Sequence, residues 1–287
     1  MSARAITPRK HKRIRLSKIL VYLLLIGGAL ISLVPFYWLI RSSFMNMLEI
    51  YTMPPIWWSK SPTLGNFKTV FFADVPFFSY LLNTIKIVIP VIIGTVISSS
   101  ISAYGFARFN FPFRQGWFAI CLSSMLIPGA VTLIPGFLIW KEFGAINTYA
   151  PLIIPPFFGG GAFNIFLFRQ FFMTIPRSLD EAATLDGAGP IRIYWQILLP
   201  LLTPVCITVM LFTFMNTWND FFGPMLYLYD MEKYTVALGL QLFSSSYGAD
   251  YGAVMAGALV MTLPTVLIFF VGQNYFVQGI VTSGLKG

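Results

Sequence analysis

Six long runs of the chain carry almost no charge, and this restricts the fold more than any other feature. They lie at about residues 19–40, 81–105, 116–139, 149–168, 201–219 and 254–276. Each is close to the roughly 20 apolar residues a helix needs to cross the hydrocarbon layer. Within that layer every backbone N–H and C=O must find a partner inside the protein, so only helices or a closed barrel can span it. A barrel would be written as many short alternating strands, whereas these runs are long and continuously apolar. The expected fold is all-α: a polytopic membrane protein with six transmembrane helices.

The distribution of charge sets the topology. Only 10% of the residues are charged and 57% are hydrophobic, against about a quarter charged in soluble domains. The net charge of +9 comes largely from Arg4, Arg9, Lys10, Lys12, Arg13, Arg15 and Lys18, all before or at the start of the first apolar run. Residues 1–17 therefore read as a basic cytoplasmic tail, because positive flanks stay inside, and not as a nucleic-acid-binding arm. Residues 18–287 form one transmembrane domain. With the N-terminus inside, Arg108 and Arg114 fall on the inner side, as do Arg169, Arg177 and Arg192 between the fourth and fifth runs, and Lys286 at the C-terminus. The outer loops hold Arg41, Lys60, Lys68, Lys141 and Lys233 against seven acids, Glu49 and Asp220 among them. Both termini are expected in the cytoplasm. The first run exceeds the 7–15 apolar residues of a signal peptide, so it reads as a retained span. Trp57 and Trp58 suit an outer interfacial anchor.

Some chemistries are excluded by composition. Cys121 and Cys206 lie in apolar runs and His11 in the basic tail, so no metal site is expected. There is no G-x-x-x-x-G-K-[ST] phosphate loop, so the chain is not expected to bind a nucleotide or any other cofactor. Every run has a proline in it or at its edge: Pro35, Pro90, Pro128, Pro135, Pro151, Pro155, Pro156, Pro204 and Pro264. Proline bends helices, and bent spans leave room for a translocation path. The outer segments 41–80 and 220–253 are long and aromatic, fit to cap the bundle or meet an extracytoplasmic partner.

The segment "DEAATLDGAGPIRIYWQILLP", Asp180 to Pro200, lies between membrane runs yet is charged and small-sided. Ser178 and Glu181 have the spacing of a capping box, Gly187 can end the first short helix, and Pro190 can begin a second. Leu179, Ala182, Ala183 and Asp186 would share one face; Ile191, Trp195 and Leu198 would share another. The segment is expected to form a cytoplasmic helical hairpin, about residues 174–200, with a small alanine face open to close approach. Leading acids and little apolar area argue against a helix lying on lipid headgroups.

The positions Glu181, Ala182, Ala183, Gly187, Ile197, Leu199 and Pro200 match the signature EAA-x3-G-x9-I-x-LP, and Asp186-Gly187-Ala188 is typical of its core. The chain thus resembles the permease subunits of bacterial ABC importers, with the type I permease fold. The stretches "NTWNDFFG" at 216–223, "YTVALGL" at 234–240 and "FVQGIVTSGLKG" at 276–287 resemble the carbohydrate branch, above all the six-span partner subunit of maltose-type permeases. The resemblance covers about residues 18–287. It implies that the hairpin is a coupling helix docking into an ATPase subunit. The C-terminal tail, with Gln278, Gly279, Ser283 and Lys286, would reach between the ATPases. The implied partners are a second homologous permease, two ABC ATPases that use ATP and magnesium, and an extracytoplasmic sugar-binding protein. The implied location is the bacterial inner or plasma membrane.

Sugars are held by aromatic faces and a few oriented polar groups. Asn216, Trp218, Asn219 and Asp220 supply both near the outer end of the fifth run, and Asn164 lies in the fourth. The alternative for Asn216 is a bond to a neighbouring helix, and for Trp218 a place in the interfacial belt. Lys86 reads as a snorkelling residue. Glycerol 3-phosphate in the same machinery is the nearest rival substrate. An ion-coupled secondary transporter is the rival of another class, but the runs carry no ionisable group at mid-span of the kind such coupling needs.

Overall fold

The computed structural model describes residues 16–72, 75–245 and 250–284, with side chains described for 18–72, 75–244 and 250–273. The basic tail up to Arg15 and Lys286 lie outside the described residues. The described residues are helices, turns and loops without a strand. Four helical segments are long and apolar enough to span a membrane: Lys18–Ser43, Phe77–Arg108, Ala150–Thr174 and Tyr251–Gln273. Two further spans are broken: Arg114–Leu126 with Gly129–Glu142, bent by 96°, and Pro190–Leu201 with Thr203–Trp218, bent by 77°. Counting each bent pair as one gives the expected six.

We label the helices used below as α1 (Leu16–Ser43), α2 (Phe77–Arg108), α3 (Arg114–Ser123), α4 (Gly129–Glu142), α5 (Ala162–Thr174), α6 (Ser178–Leu185), α7 (Thr203–Trp218) and α8 (Tyr251–Gly284). Helix α2 is the axis of the fold. It packs on α5 and α7, while α8 packs on α7 and α1. Its 32 residues reach about 48 Å at 1.5 Å per residue, enough to carry one end clear of each face of a bilayer. One buried cluster surrounds its C-terminal half, with Ala103, Ala107, Phe168, Phe172 and Leu202. A second surrounds its N-terminal half, with Phe77, Tyr80, Phe214, Trp218 and Val236.

The prolines divide into two groups. Pro35, Pro90, Pro135 and Pro264 lie inside α1, α2, α4 and α8, which continue through them. The third span breaks where Ile127 turns extended, at φ −79° and ψ 115° before Pro128; the proline ring disfavours helical backbone in the residue before it. The fifth span breaks between Pro200 and Pro204, at Leu202.

The fourth span holds a break that the prolines alone did not predict. After Pro155–Phe157 the backbone passes through Gly159, Gly160 and Gly161 at φ +101°, +66° and +94°. Such conformations suit glycine because a β-carbon would clash with the backbone. Non-helical backbone at membrane depth must be buried in protein and bonded. Here Ser98 Oγ on α2 lies 2.7 Å from both Gly94 O and Pro156 O, and Asn164 Nδ2 donates to Gly160 O at 2.7 Å. The small stripe of α2, Gly94 with Ser98 and Ser99, admits this turn: a β-carbon on Gly94 would meet the Phe157 ring at 2.6 Å.

At the opposite end of α2 from Arg108, the long loops fold into a cap. The buried Asn83 donates through Nδ2 to Glu232 O at 2.7 Å and Tyr234 O at 3.1 Å. Thr84 Oγ1 accepts from Val236 N at 2.8 Å. Glu49 gathers Ser59 Oγ at 2.6 Å and Lys60 N at 2.9 Å, which hold its carboxyl below the ordinary range. Trp57 stacks on Tyr37 at 6.2 Å and Trp58 is exposed, in keeping with an interfacial position.

Candidate functional site

The hairpin sits at the C-terminal end of α2. Helix α6 ends in a Schellman turn: Gly187 stands at φ +80°, its N–H donates to Thr184 O at 3.0 Å, and Ala188 N–H donates to Ala183 O at 2.9 Å. This is the left-handed termination expected of Gly187. The start of the helix differs from expectation. Arg177 already has helical backbone and Ser178 is the first residue of the helix, without a side-chain cap. The capping box is not formed, because the helix begins one residue too early for Ser178 to act as cap. One first-turn acid is used otherwise: Arg108 Nε lies 3.0 Å from Asp180 Oδ2.

Two faces also differ from the sequence reading. Ala182 is exposed but Ala183 is buried in the permease core. Adjacent helical residues point about 100° apart, so the pair cannot offer one outward face. Ile191 and Trp195 are exposed, whereas Leu198 is fully buried. The reason is a π-turn over Tyr194–Leu198, which inserts an extra residue and shifts the phase of the face. Glu181, Asp186, Gly187 and Pro200 are exposed, and Ile197 and Leu199 are half-buried.

The hairpin is strapped to the bundle at several points. Tyr194 OH lies 2.7 Å from Ser100 Oγ, Tyr104 OH donates to Pro190 O at 3.2 Å, and Arg177 donates to Ala107 O at 3.3 Å. Ala183, Ile193 and Tyr194 are buried beneath it. Its tip points away from the bundle, with Leu185 90% and Ile191 77% exposed. The arrangement is an exposed apolar tip on a base hydrogen-bonded to α2. Sequence reasoning missed the straps Arg108, Tyr104 and Ser100. The excess of arginine near 108 and 177 was the available signal.

The candidate path residues scatter. Trp218 is buried, stacked on Phe214 at 5.3 Å, and its Nε1–H donates to Met261 O at 2.9 Å. Asn164 braces the glycine break. Asn219 donates to Met215 O on its own helix at 2.7 Å, and Asn216 is exposed. Lys86 is exposed and reaches Asn83 Oδ1 at 3.4 Å. Asp220, just beyond α7, faces a cavity of about 70 Å³ lined also by Thr84, Thr217 and Thr235. That is far below the roughly 300 Å³ at the lower end of small-molecule pockets.

Burial raises the Asp220 carboxyl, and the N–H groups of Gly223 and Phe222 offset part of the rise. The fold therefore favours the neutral acid. This contribution is complete below the ordinary value of 3.8 and is lost as pH rises through the raised one. Asp220→Asn keeps an acceptor for Gly223 N–H, now 3.1 Å from Oδ1. The variant should lose less stability than the wild type as pH climbs above 3.8. Parallel melting curves against pH would contradict this.

Fold and site together define a multi-pass helical membrane protein with a helical hairpin at one end of α2 and a folded cap at the other. Residues 17–282 match the family described as binding-protein-dependent transport system inner membrane component, and the chain belongs to that family. It is 30% identical over 276 residues to the arabinooligosaccharides transport system permease protein AraQ of Halalkalibacterium halodurans, covering 94% of this chain and 98% of that one. It is 30% identical over 271 residues to the lactose transport system permease protein LacG of Rhizobium radiobacter, covering 94% and 97%. Among solved structures, a bacterial ABC transporter involved in import of the acidic polysaccharide alginate superposes with a TM-score of 0.80 at 24% identity, covering 94% of this chain and 100% of that one. The protein is an ABC transporter permease subunit.

Proposed function

We propose that this permease imports a sugar or oligosaccharide delivered by an extracytoplasmic binding protein, driven by ATP that partner ATPase subunits hydrolyse. The observation that carries the coupling role is the hairpin tip, where Leu185, Ile191 and Ala182 are exposed on a base bonded to α2. Exposed apolar surface outside the bilayer marks a protein contact, and a groove along Gly189, Pro190, Ile191 and Trp195 continues it. Glu181, Ala182, Asp186 and Gly187 form the docking surface; Ile197, Leu199 and Pro200 hand its motion to α7. The backbone of α8 runs on through Gln278, Gly279 and Ser283 to Gly284; we assign these residues, with Lys286 outside the described residues, to contact with the ATPases. ATP and magnesium belong to those subunits.

The carbohydrate reading draws on the relatives that transport arabinooligosaccharides and lactose. The cavity at Asp220 is too small for a sugar, and we assign the remainder of the path to an interface with a second, homologous permease. Both termini and the hairpin are cytoplasmic, in line with the basic excess on that side.

Reconstitution of the whole complex tests the reading. Labelled oligosaccharide uptake should need the binding protein and ATP, and should persist when ion gradients are collapsed. In a cysteine-free background, Ser61→Cys should react with an impermeant thiol reagent from outside, and Asp186→Cys should not. Uptake driven by an ion gradient without ATP, or the opposite labelling pattern, would overturn it.

A further inference from the structure

Beside the base of the hairpin is a cavity of about 340 Å³, and four arginines line it: Arg108, Arg114, Arg169 and Arg177. None of its lining residues is acidic. Among the described residues the four make one ion pair, between Arg108 and Asp180. Arg108 also donates to Ile175 O at 3.0 Å, Arg114 to Phe109 O at 3.0 Å and Asn110 Oδ1 at 3.1 Å, and Arg177 to Ala107 O. These carbonyl and amide contacts orient the guanidinium groups without neutralising them.

Arg169 is the exceptional member. It is 9% exposed, its guanidinium carbon lies 4.2 Å from the centre of the Phe118 ring, and its Nε has no hydrogen-bond partner. A buried cation without an anion is costly, and a second cation, Arg114, lines the same cavity. The coupling reading makes no use of this group. The site asks for an anion that can accept from several guanidinium forks at once, which is the chemistry of a phosphate.

The depth of the cavity narrows the source. Arg108 ends α2, Arg114 begins α3, and Arg169 lies five residues inside the end of α5 at Thr174, about 7 Å along the axis. This is the level where a span enters the headgroup region. Next to Arg114, Phe113 and Trp117 are 84% and 57% exposed, an aromatic rim of the kind found at that interface. We infer that this four-arginine cavity binds the phosphate of an anionic phospholipid headgroup, with Arg169 as its innermost ligand and Arg114 at its mouth. Basic pockets between spans on the inner side hold such headgroups elsewhere. Because the cavity abuts Arg177 and Pro176, which lead into α6, a bound headgroup would stiffen the base of the hairpin.

The experiment uses the permease purified with its partner subunits in nonionic detergent, exchanged against an equimolar mixture of phosphatidylglycerol and phosphatidylcholine. Retained lipid is measured by mass spectrometry, and melting is followed with each lipid and with inorganic phosphate. Wild-type protein should retain phosphatidylglycerol over phosphatidylcholine by about tenfold. Arg169→Gln and Arg114→Gln should bring the ratio near one, while Lys141→Gln, at the other face, should leave it unchanged. Should Arg169→Gln fail to assemble, Arg114→Gln decides. An unchanged ratio in the assembled variants would overturn the inference. So would stabilisation by inorganic phosphate equal to that by the lipid, which would indicate a free-anion site. A preference for neither lipid in the wild-type complex would also overturn it.

Discussion

Gly187→Val and Ala182→Trp are expected to weaken coupling while leaving the permease folded. Gly187 is at φ +80° and a β-carbon there would touch nothing within 4 Å. The cost is therefore backbone strain of about 1–2 kcal/mol, relieved by unwinding the turn that presents the tip. Ala182 is exposed, so tryptophan is accommodated in the free permease but overpacks a docked partner by about 1–3 kcal/mol. Increments of this size, carried into docking, weaken it by about fivefold to about 150-fold. Membrane insertion and pairing with the second permease should be normal. ATPase co-purification, stimulation of ATP hydrolysis by loaded binding protein, and transport should all fall. Normal docking, stimulation and transport in both variants would return the hairpin to a passive connection.

Gly160→Ala should fail at an earlier stage, in folding. Its backbone is also left-handed, at φ +66°, but its β-carbon would lie 2.5 Å from Thr95 O and 3.0 Å from Ser99 Cβ on α2. A helix carbonyl cannot swing aside as a flexible side chain can. Strain and overpacking together amount to about 2–5 kcal/mol, a large share of a stability of about 5–15 kcal/mol. The neighbouring Gly161 stands at φ +94° with nothing nearer than Asn164 Nδ2 at 3.7 Å. Gly161→Ala should then show the strain without the clash. Melting temperature and yield of folded protein in detergent should rank wild type, Gly161→Ala, Gly160→Ala. Equal losses at the two glycines would show that the approach to α2 does not matter.

These glycines mark where sequence and structure part. The six spans were legible because lipid imposes a one-dimensional rule: enough apolar residues in a row, with no charge. The end of α6 was legible for a similar reason, since a left-handed turn is a local backbone property that glycine alone satisfies cheaply. The hairpin motif was legible as a spaced pattern. Its faces were not, because the π-turn at Tyr194–Leu198 shifts the phase of Leu198, and that turn forms where Tyr194 reaches Ser100 on another helix. The same holds for Trp218 and Asn164, named from the sequence as candidates for a sugar. Only packing shows that the indole bonds to Met261 and the amide to Gly160. Sequence alone thus determined a multi-pass helical membrane protein, with a short helical hairpin between two of its apolar runs. The tertiary structure decided which alanine faces outward, which prolines break their helices, and that four arginines from separate segments share one cavity. Those outcomes depend on contacts between residues far apart in the chain, which local pattern does not encode.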